Sequence, residues 1–108
     1  MNPWLALAVA IVLEVSGTVS MKLSDGFTRL VPSILIFIFY AGSFAVLTLA
    51  LKKIDLGVAY AVWAGAGTAL IAVVGVLYFK EPLSALKVLS IFLIIAGVIG
   101  LNLSGAKH

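Results

Sequence analysis

Charge in this chain is confined to short stretches between four long apolar runs, and that segmentation decides what it can fold into. The runs cover residues 4–21, 31–51, 56–79 and 84–103. Each is close to the ~20 residues an α-helix needs to cross about 30 Å of hydrocarbon at 1.5 Å per residue. With 64% of its 108 residues apolar, 10% charged and a mean hydropathy of +1.29, the chain lacks the polar shell that a soluble domain wraps around its core. The reading is an all-α integral membrane protein, multi-pass in the cell inner (plasma) membrane, with residues 1–108 as a single four-helix domain. The lipid bilayer is its first partner.

The stretches between the runs, 22–30, 52–55 and 80–83, carry most of the charge, with the breakers Gly26, Pro32 and Pro82 in or beside them. Loops this short force neighbouring helices antiparallel, as an up-down bundle. Residues 4–13 also look like the apolar region of a secretory signal, with small residues at Ala6-Leu7-Ala8. No Lys or Arg precedes that run, Glu14 interrupts it, and similar hydropathy recurs downstream, so it reads as the first span.

Composition excludes several function classes. Seven Lys or Arg against four acids, scattered among the loops, form no basic block, so no nucleic-acid partner is expected. The absence of Cys removes disulfides, thiolate metal sites and thiol catalysis, and a single His cannot build a metal site. Neither an enzyme nor a cofactor is expected.

Lys and Arg bias between the two faces of a membrane normally sets orientation. Here Lys22, Arg29, Lys80 and Lys87 stand on one side against Lys52, Lys53 and Lys107 on the other, four against three. A chain so balanced can insert either way. Alternating-access transporters are commonly built from inverted repeats, which a chain of this length does not contain internally but two oppositely inserted copies would supply. The expected partner is therefore a second copy of the same chain in inverted orientation.

Glu14 is the one acid near mid-depth of any span. An acidic side chain at a helix centre costs roughly 2.5 to 3.5 kcal/mol on insertion scales, and such residues mark function. Hydrocarbon disfavours the charge, and either a proton or a bound cation relieves it. Helical spacing puts Leu7, Ala10, Ile11, Gly17, Thr18 and Met21 on the same stripe, so small residues surround the carboxylate. Ala10 and Thr18 are expected to line the site.

In the second run Tyr40, Ser43, Phe44 and Leu47 follow i, i+3, i+4, i+7 spacing, and in the third Tyr60, Trp63, Ala64 and Gly67 do the same. Tyr and Trp generally prefer the interfaces, so aromatics this deep suggest a cage for a small organic cation. Tyr40, Ser43, Phe44, Tyr60 and Trp63 are the candidate substrate contacts, and a Tyr hydroxyl is placed to hydrogen-bond Glu14. Gly65 and Gly67 are a candidate hinge. In the fourth run Ser90, Gly97 and Ser104 recur every seven residues, and Ala96, Gly100 and Ser104 every four, two small-residue faces suited to dimerisation.

The residues just named, with the opening Met1-Asn2-Pro3, the Glu14-Val15 pair with Gly17-Thr18 and Met21-Lys22, the Gly26-Phe27-Thr28-Arg29 loop ending at Pro32-Ser33, and Ala59-Tyr60-Ala61-Val62-Trp63, resemble the small multidrug resistance transporters over essentially the whole chain. The resemblance implies an antiparallel, dual-topology homodimer that exports lipophilic or quaternary ammonium cations by proton antiport. Both copies of Glu14 would share one site, with protons as the coupling ion. It also implies substrate roles for Tyr40, Phe44, Tyr60 and Trp63, and a dimer role for the fourth helix. The guanidinium exporters of that family generally place Trp where this chain has Gly17, which favours the multidrug branch. Lys80-Glu81-Pro82-Leu83 is closer to the guanidinium exporters and keeps that subtype as the alternative, with Glu81 read as a solvated charge near Lys80 and Lys87. A different class, a proton-conducting membrane subunit of a larger complex, would use the carboxylate but leaves the aromatics unexplained.

Overall fold

A computed structural model describes residues 2–105. Met1, Lys107 and His108, which entered the opening motif, the charge balance and the metal argument, lie outside the described residues. The described residues form four helices and no strand: α1 (Pro3–Leu23), α2 (Leu30–Ala50), α3 (Leu56–Leu77) and α4 (Ala85–Gly105). Each is long and apolar enough to cross a membrane. They divide into two compact units, one running to Ile54 and the other starting at Asp55, each a helical hairpin.

Local chemistry explains the helix ends. Asn2 caps α1, its Oδ1 accepting from the Trp4 N–H at 2.8 Å and the Leu5 N–H at 3.4 Å, while Pro3 sits where its missing N–H costs nothing. The expected first span stopped at Met21 because Lys22 is charged, yet α1 continues to Leu23. Lys is a good helix former, and what ends the helix is Ser24. Ser24 Oγ donates to the Met21 carbonyl at 2.8 Å and accepts from the Phe27 N–H at 3.2 Å. Its carbonyl accepts from the Thr28 and Arg29 N–H groups at 2.9 and 3.1 Å. Around this nearly buried serine the chain makes a left-handed turn, with φ of 50°, 70° and 68° at Asp25, Gly26 and Phe27.

The third apolar run extends to residue 79, but α3 ends at Leu77. The last turn widens there: the Phe79 N–H reaches the Val74 carbonyl at 3.4 Å, the Glu81 N–H reaches the Gly75 carbonyl at 3.0 Å, and Lys80 takes a φ of 57°. Ser84 then opens α4 by accepting from the Lys87 N–H at 3.1 Å.

In the first hairpin α1 buries Ala6, Leu7, Ala10, Ile11, Gly17 and Ser20, and α2 buries Ile36, Ser43 and Ala50. These are mostly small residues, which is how helices approach closely when lipid offers no hydrophobic contrast. In the second hairpin, a Cβ at Gly65 would stand 2.9 Å from Val98 Cγ2 and 3.5 Å from Ile94 Cγ2, so this glycine marks the close contact of α3 with α4. Hydroxyls inside the spans are satisfied locally, Ser16 on the Val12 carbonyl at 2.8 Å, Thr48 on Phe44 at 2.8 Å and Thr68 on Ala64 at 2.7 Å. That back-bonding lets polar side chains sit in hydrocarbon without an orphaned donor.

Candidate functional site

Glu14 lies at the middle of the 21-residue α1, and its side chain is half-buried. One turn on, Thr18 Oγ1 stands 3.2 Å from Glu14 Oε1 and 3.1 Å from the Glu14 carbonyl oxygen. The same hydroxyl lies 2.7 Å from the Tyr40 hydroxyl of α2, either of the two being able to donate. Tyr40 in turn reaches Met21 Sδ at 3.5 Å. The acid is thus the end of a polar chain, Glu14–Thr18–Tyr40–Met21, that runs from α1 to α2 and back. The hydrogen bond expected between a Tyr hydroxyl and Glu14 is not direct in this hairpin: Tyr40 reaches the acid through Thr18.

Gly17 makes that connection sterically feasible. A Cβ at this position would come within 2.7 Å of Tyr40 Cδ1 and 2.8 Å of Cε1, so the Tyr40 ring rests on bare backbone. Any side chain at 17 displaces the ring, and one as large as Trp could not share the space.

Two other residues assigned to the site do something else in this hairpin. Ser43 and Ala10 are both 0% exposed, and Ser43 Oγ donates to the Ala10 carbonyl at 2.7 Å. They are fastened to each other between α1 and α2, and neither offers a free polar atom to a ligand. The second-helix stripe consequently splits. Ser43 turns onto α1, whereas Phe44 is 52% exposed and keeps a tilted ring contact with Tyr40 at a centroid distance of 6.2 Å.

In the second hairpin Tyr60 and Trp63 form a matching pair, 5.9 Å apart and tilted by 40°. Tyr60 is exposed and Trp63 half-buried. Gly65 and Gly67 lie within an unbroken α3, Gly67 buried and Gly65 against Val98. In α4, Ser90, Gly97, Gly100 and Ser104 are all exposed, and a Cβ at either glycine would meet nothing within 4 Å. Glu81, read as a solvated charge, is exposed, and its carboxylate occupies the space beside Gly75 that a Cβ would fill. Lys87 Nζ donates to the Pro82 carbonyl at 2.7 Å. Ser24, whose role no periodicity signals, holds the turn after α1 through its hydroxyl and carbonyl, a structural role that is not legible in the sequence.

A carboxylic acid inside a membrane span, bonded to the Thr18 hydroxyl and with the Tyr40–Phe44 pair in the same hairpin, suits a site that handles protons or cations rather than one that makes and breaks covalent bonds. Comparison with known proteins points the same way. Residues 2–94 match the family model described as Small Multidrug Resistance protein. The chain is 62% identical over 100 residues to the membrane protein YvaE of Bacillus subtilis (strain 168), covering 93% of this chain and 84% of that one. It is 47% identical over 106 residues to the multidrug resistance protein EbrB of the same organism, covering 98% and 91%. It is 42% identical over 106 residues to the quaternary ammonium compound-resistance protein QacH of Staphylococcus saprophyticus, covering 98% and 99%. Four membrane-spanning helices, a mid-span acid and a match over nearly the whole chain make this multi-pass membrane protein a member of the small multidrug resistance family.

Proposed function

We propose that the chain exports lipophilic and quaternary ammonium cations in exchange for protons, with Glu14 holding one or the other. The observation that carries this reading is the acid itself, half-buried at the midpoint of α1 with a hydroxyl on its Oε1. The relatives' names, multidrug resistance for EbrB and quaternary ammonium compound resistance for QacH, support the same class of cargo.

Exclusion at one carboxylate is the mechanism. A bare charge in hydrocarbon is unfavourable, so the ionised acid takes up whichever cation the side of the membrane offers, and re-orientation follows once the charge is neutralised. Tyr40, Phe44, Tyr60 and Trp63 offer aromatic faces to a cargo that hydrogen bonds stabilise poorly, each worth about 0.5 to 2 kcal/mol depending on desolvation. Moving one elementary charge across 100 mV is worth about 2.3 kcal/mol, so exchange of two protons for one monovalent cation draws on both voltage and pH gradient. Gly65 and Gly67 remain the hinge in this scheme.

The working unit is an antiparallel homodimer that brings a second Glu14 from an inverted copy. The four-to-three balance of loop charges supports dual insertion. The open faces of Gly97 and Gly100, with Ser90 and Ser104 exposed beside them, support α4 as the dimerisation helix.

The test is a panel of cations applied to the purified, reconstituted protein while proton-coupled current is recorded. Quaternary ammonium and aromatic phosphonium ions should drive current, and guanidinium should drive little. Current with guanidinium alone would move the chain to the guanidinium exporters. Proton current without any cation would assign it to proton conduction and overturn the antiport reading.

A further inference from the structure

The polar chain behind Glu14 has only two hydroxyl hydrogens, and their bookkeeping depends on whether the acid is charged. A carboxylate only accepts, so with Glu14 ionised its charge draws the single Thr18 hydrogen to Oε1, 3.2 Å away, in preference to the neutral Glu14 carbonyl at 3.1 Å, and commits it there. Thr18 Oγ1 then has only lone pairs left for its second neighbour, and at 2.7 Å the Tyr40 hydroxyl must be the donor. Both hydrogens point inward at the charge, and Met21 Sδ receives none. With Glu14 protonated that commitment ends. Thr18 can accept from the carboxyl and return its hydrogen to the Glu14 carbonyl at 3.1 Å, and Met21 Sδ at 3.5 Å becomes the other acceptor open to Tyr40.

We propose that Thr18 is a positioning residue that ties the proton state of Glu14 to the Tyr40 hydroxyl, the aligned chain Tyr40–Thr18–Glu14 stabilising the ionised acid against reprotonation. The inference rests on Glu14 exchanging protons for cations and names how this site is tuned. Three features make the geometry particular. Thr18 is one turn from the acid and faces α2. The Tyr40 ring is held on Gly17, which fixes where its hydroxyl points. Finally, α2, the helix packed on α1, brings no titratable group except Tyr40, and α1 adds only Lys22, two turns beyond Glu14. Arg29 stands at the N-terminal edge of α2, outside its span. The hydroxyl pair is therefore the local means within this hairpin of favouring the charged form. A hydroxyl hydrogen favours a charged acceptor over a neutral one, and although the Thr18 bond to the acid is long at 3.2 Å, the 2.7 Å Tyr40 bond to Thr18 reinforces it by polarisation.

The experiment is equilibrium binding of tetraphenylphosphonium, a permanent cation with no titratable group, to the purified full-length protein as a function of pH. Protons compete with the cation, so wild-type binding should weaken as pH falls. Thr18→Val removes the donor, favours the protonated acid and should move the profile about one pH unit, or tenfold in proton concentration, toward alkaline. Thr18→Ser should bring it back. Tyr40→Phe should move it part of the way, and adding Tyr40→Phe to Thr18→Val should move it no further, since Tyr40 acts through Thr18. A Thr18→Val profile at the wild-type position, or one lowered equally at every pH, would reduce Thr18 to packing and overturn the proposal. Full additivity of the two substitutions would also overturn it, by making Tyr40 independent. If Thr18→Val binds at no pH, Thr18→Ala carries the same test with the same two outcomes. Wild-type binding indifferent to pH would instead sink the proton-for-cation reading of Glu14, a failure distinct from that of Thr18.

Discussion

Glu14 was conspicuous in the sequence because an acid has no structural reason to sit twelve residues into an apolar helix, and its depth at the centre of α1 agrees with that reading. Its partners were less legible. Thr18 and Tyr40 stood out by helical spacing, but spacing places residues on a face without saying which atom meets which. Ser43 shared the Tyr40 stripe and is nevertheless closed against the Ala10 carbonyl, because the direction of α1 packing, which no periodicity reveals, decides which edge of the stripe is covered. Two predictions belong to this scale. Gly17→Ala should push the Tyr40 ring off its seat, since its Cβ would stand 2.7 Å from the ring. A shift in Tyr40 ring resonances and a several-fold loss of cation affinity would report it, and unchanged resonances would show that the ring can yield. Trp63→Ala should weaken binding of an aromatic cation by roughly 2- to 30-fold, the equivalent of losing about 0.5 to 2 kcal/mol of cation–π attraction. Titration with tetraphenylphosphonium measures it, and unchanged affinity would assign Trp63 to packing.

Among the elements, the spans followed directly from where charge stops, and their ends deviated by a few residues for local reasons. Lys22 could stay helical because a lysine near a helix C-terminus reaches the interface along its own stem. Tyr78 and Phe79 are apolar enough to read as span but fall where α3 opens its last turn toward Lys80. The three consecutive left-handed residues after Ser24 were legible only at Gly26, since Asp25 and Phe27 adopt that region because the Ser24 hydroxyl and carbonyl hold the turn closed. Gly65 read as a hinge, and its neighbours add a reason for it that flexibility does not supply, namely the 2.9 Å approach to Val98. Gly65→Val should therefore separate α3 from α4. Reduced thermal stability in detergent, by an amount typical of overpacking at about 1 to 3 kcal/mol, is expected. Ser43→Ala should loosen the first hairpin by a smaller amount, about 0.6 to 1.7 kcal/mol as for other interhelical bonds in membranes. Thermal unfolding monitored by circular dichroism compares the two.

At the scale of the whole molecule, membership in the small multidrug resistance family rests on a match from residue 2 to residue 94 and on relatives that align over nearly their full lengths. The charge balance between loops, counted from the sequence, and the open glycine face of α4, seen in the structure, are the two features that support the proposed inverted dimer. Everything in the scheme passes through one carboxylate, which must hold a proton or a cation but never both. The direct test is transport by wild-type and Glu14→Gln protein in liposomes carrying an imposed pH gradient, with cation uptake and proton release followed together. Wild-type protein should move the two in opposite directions and in fixed ratio, and Glu14→Gln should move neither against a gradient. Retention of coupled antiport by Glu14→Gln would contradict the central claim.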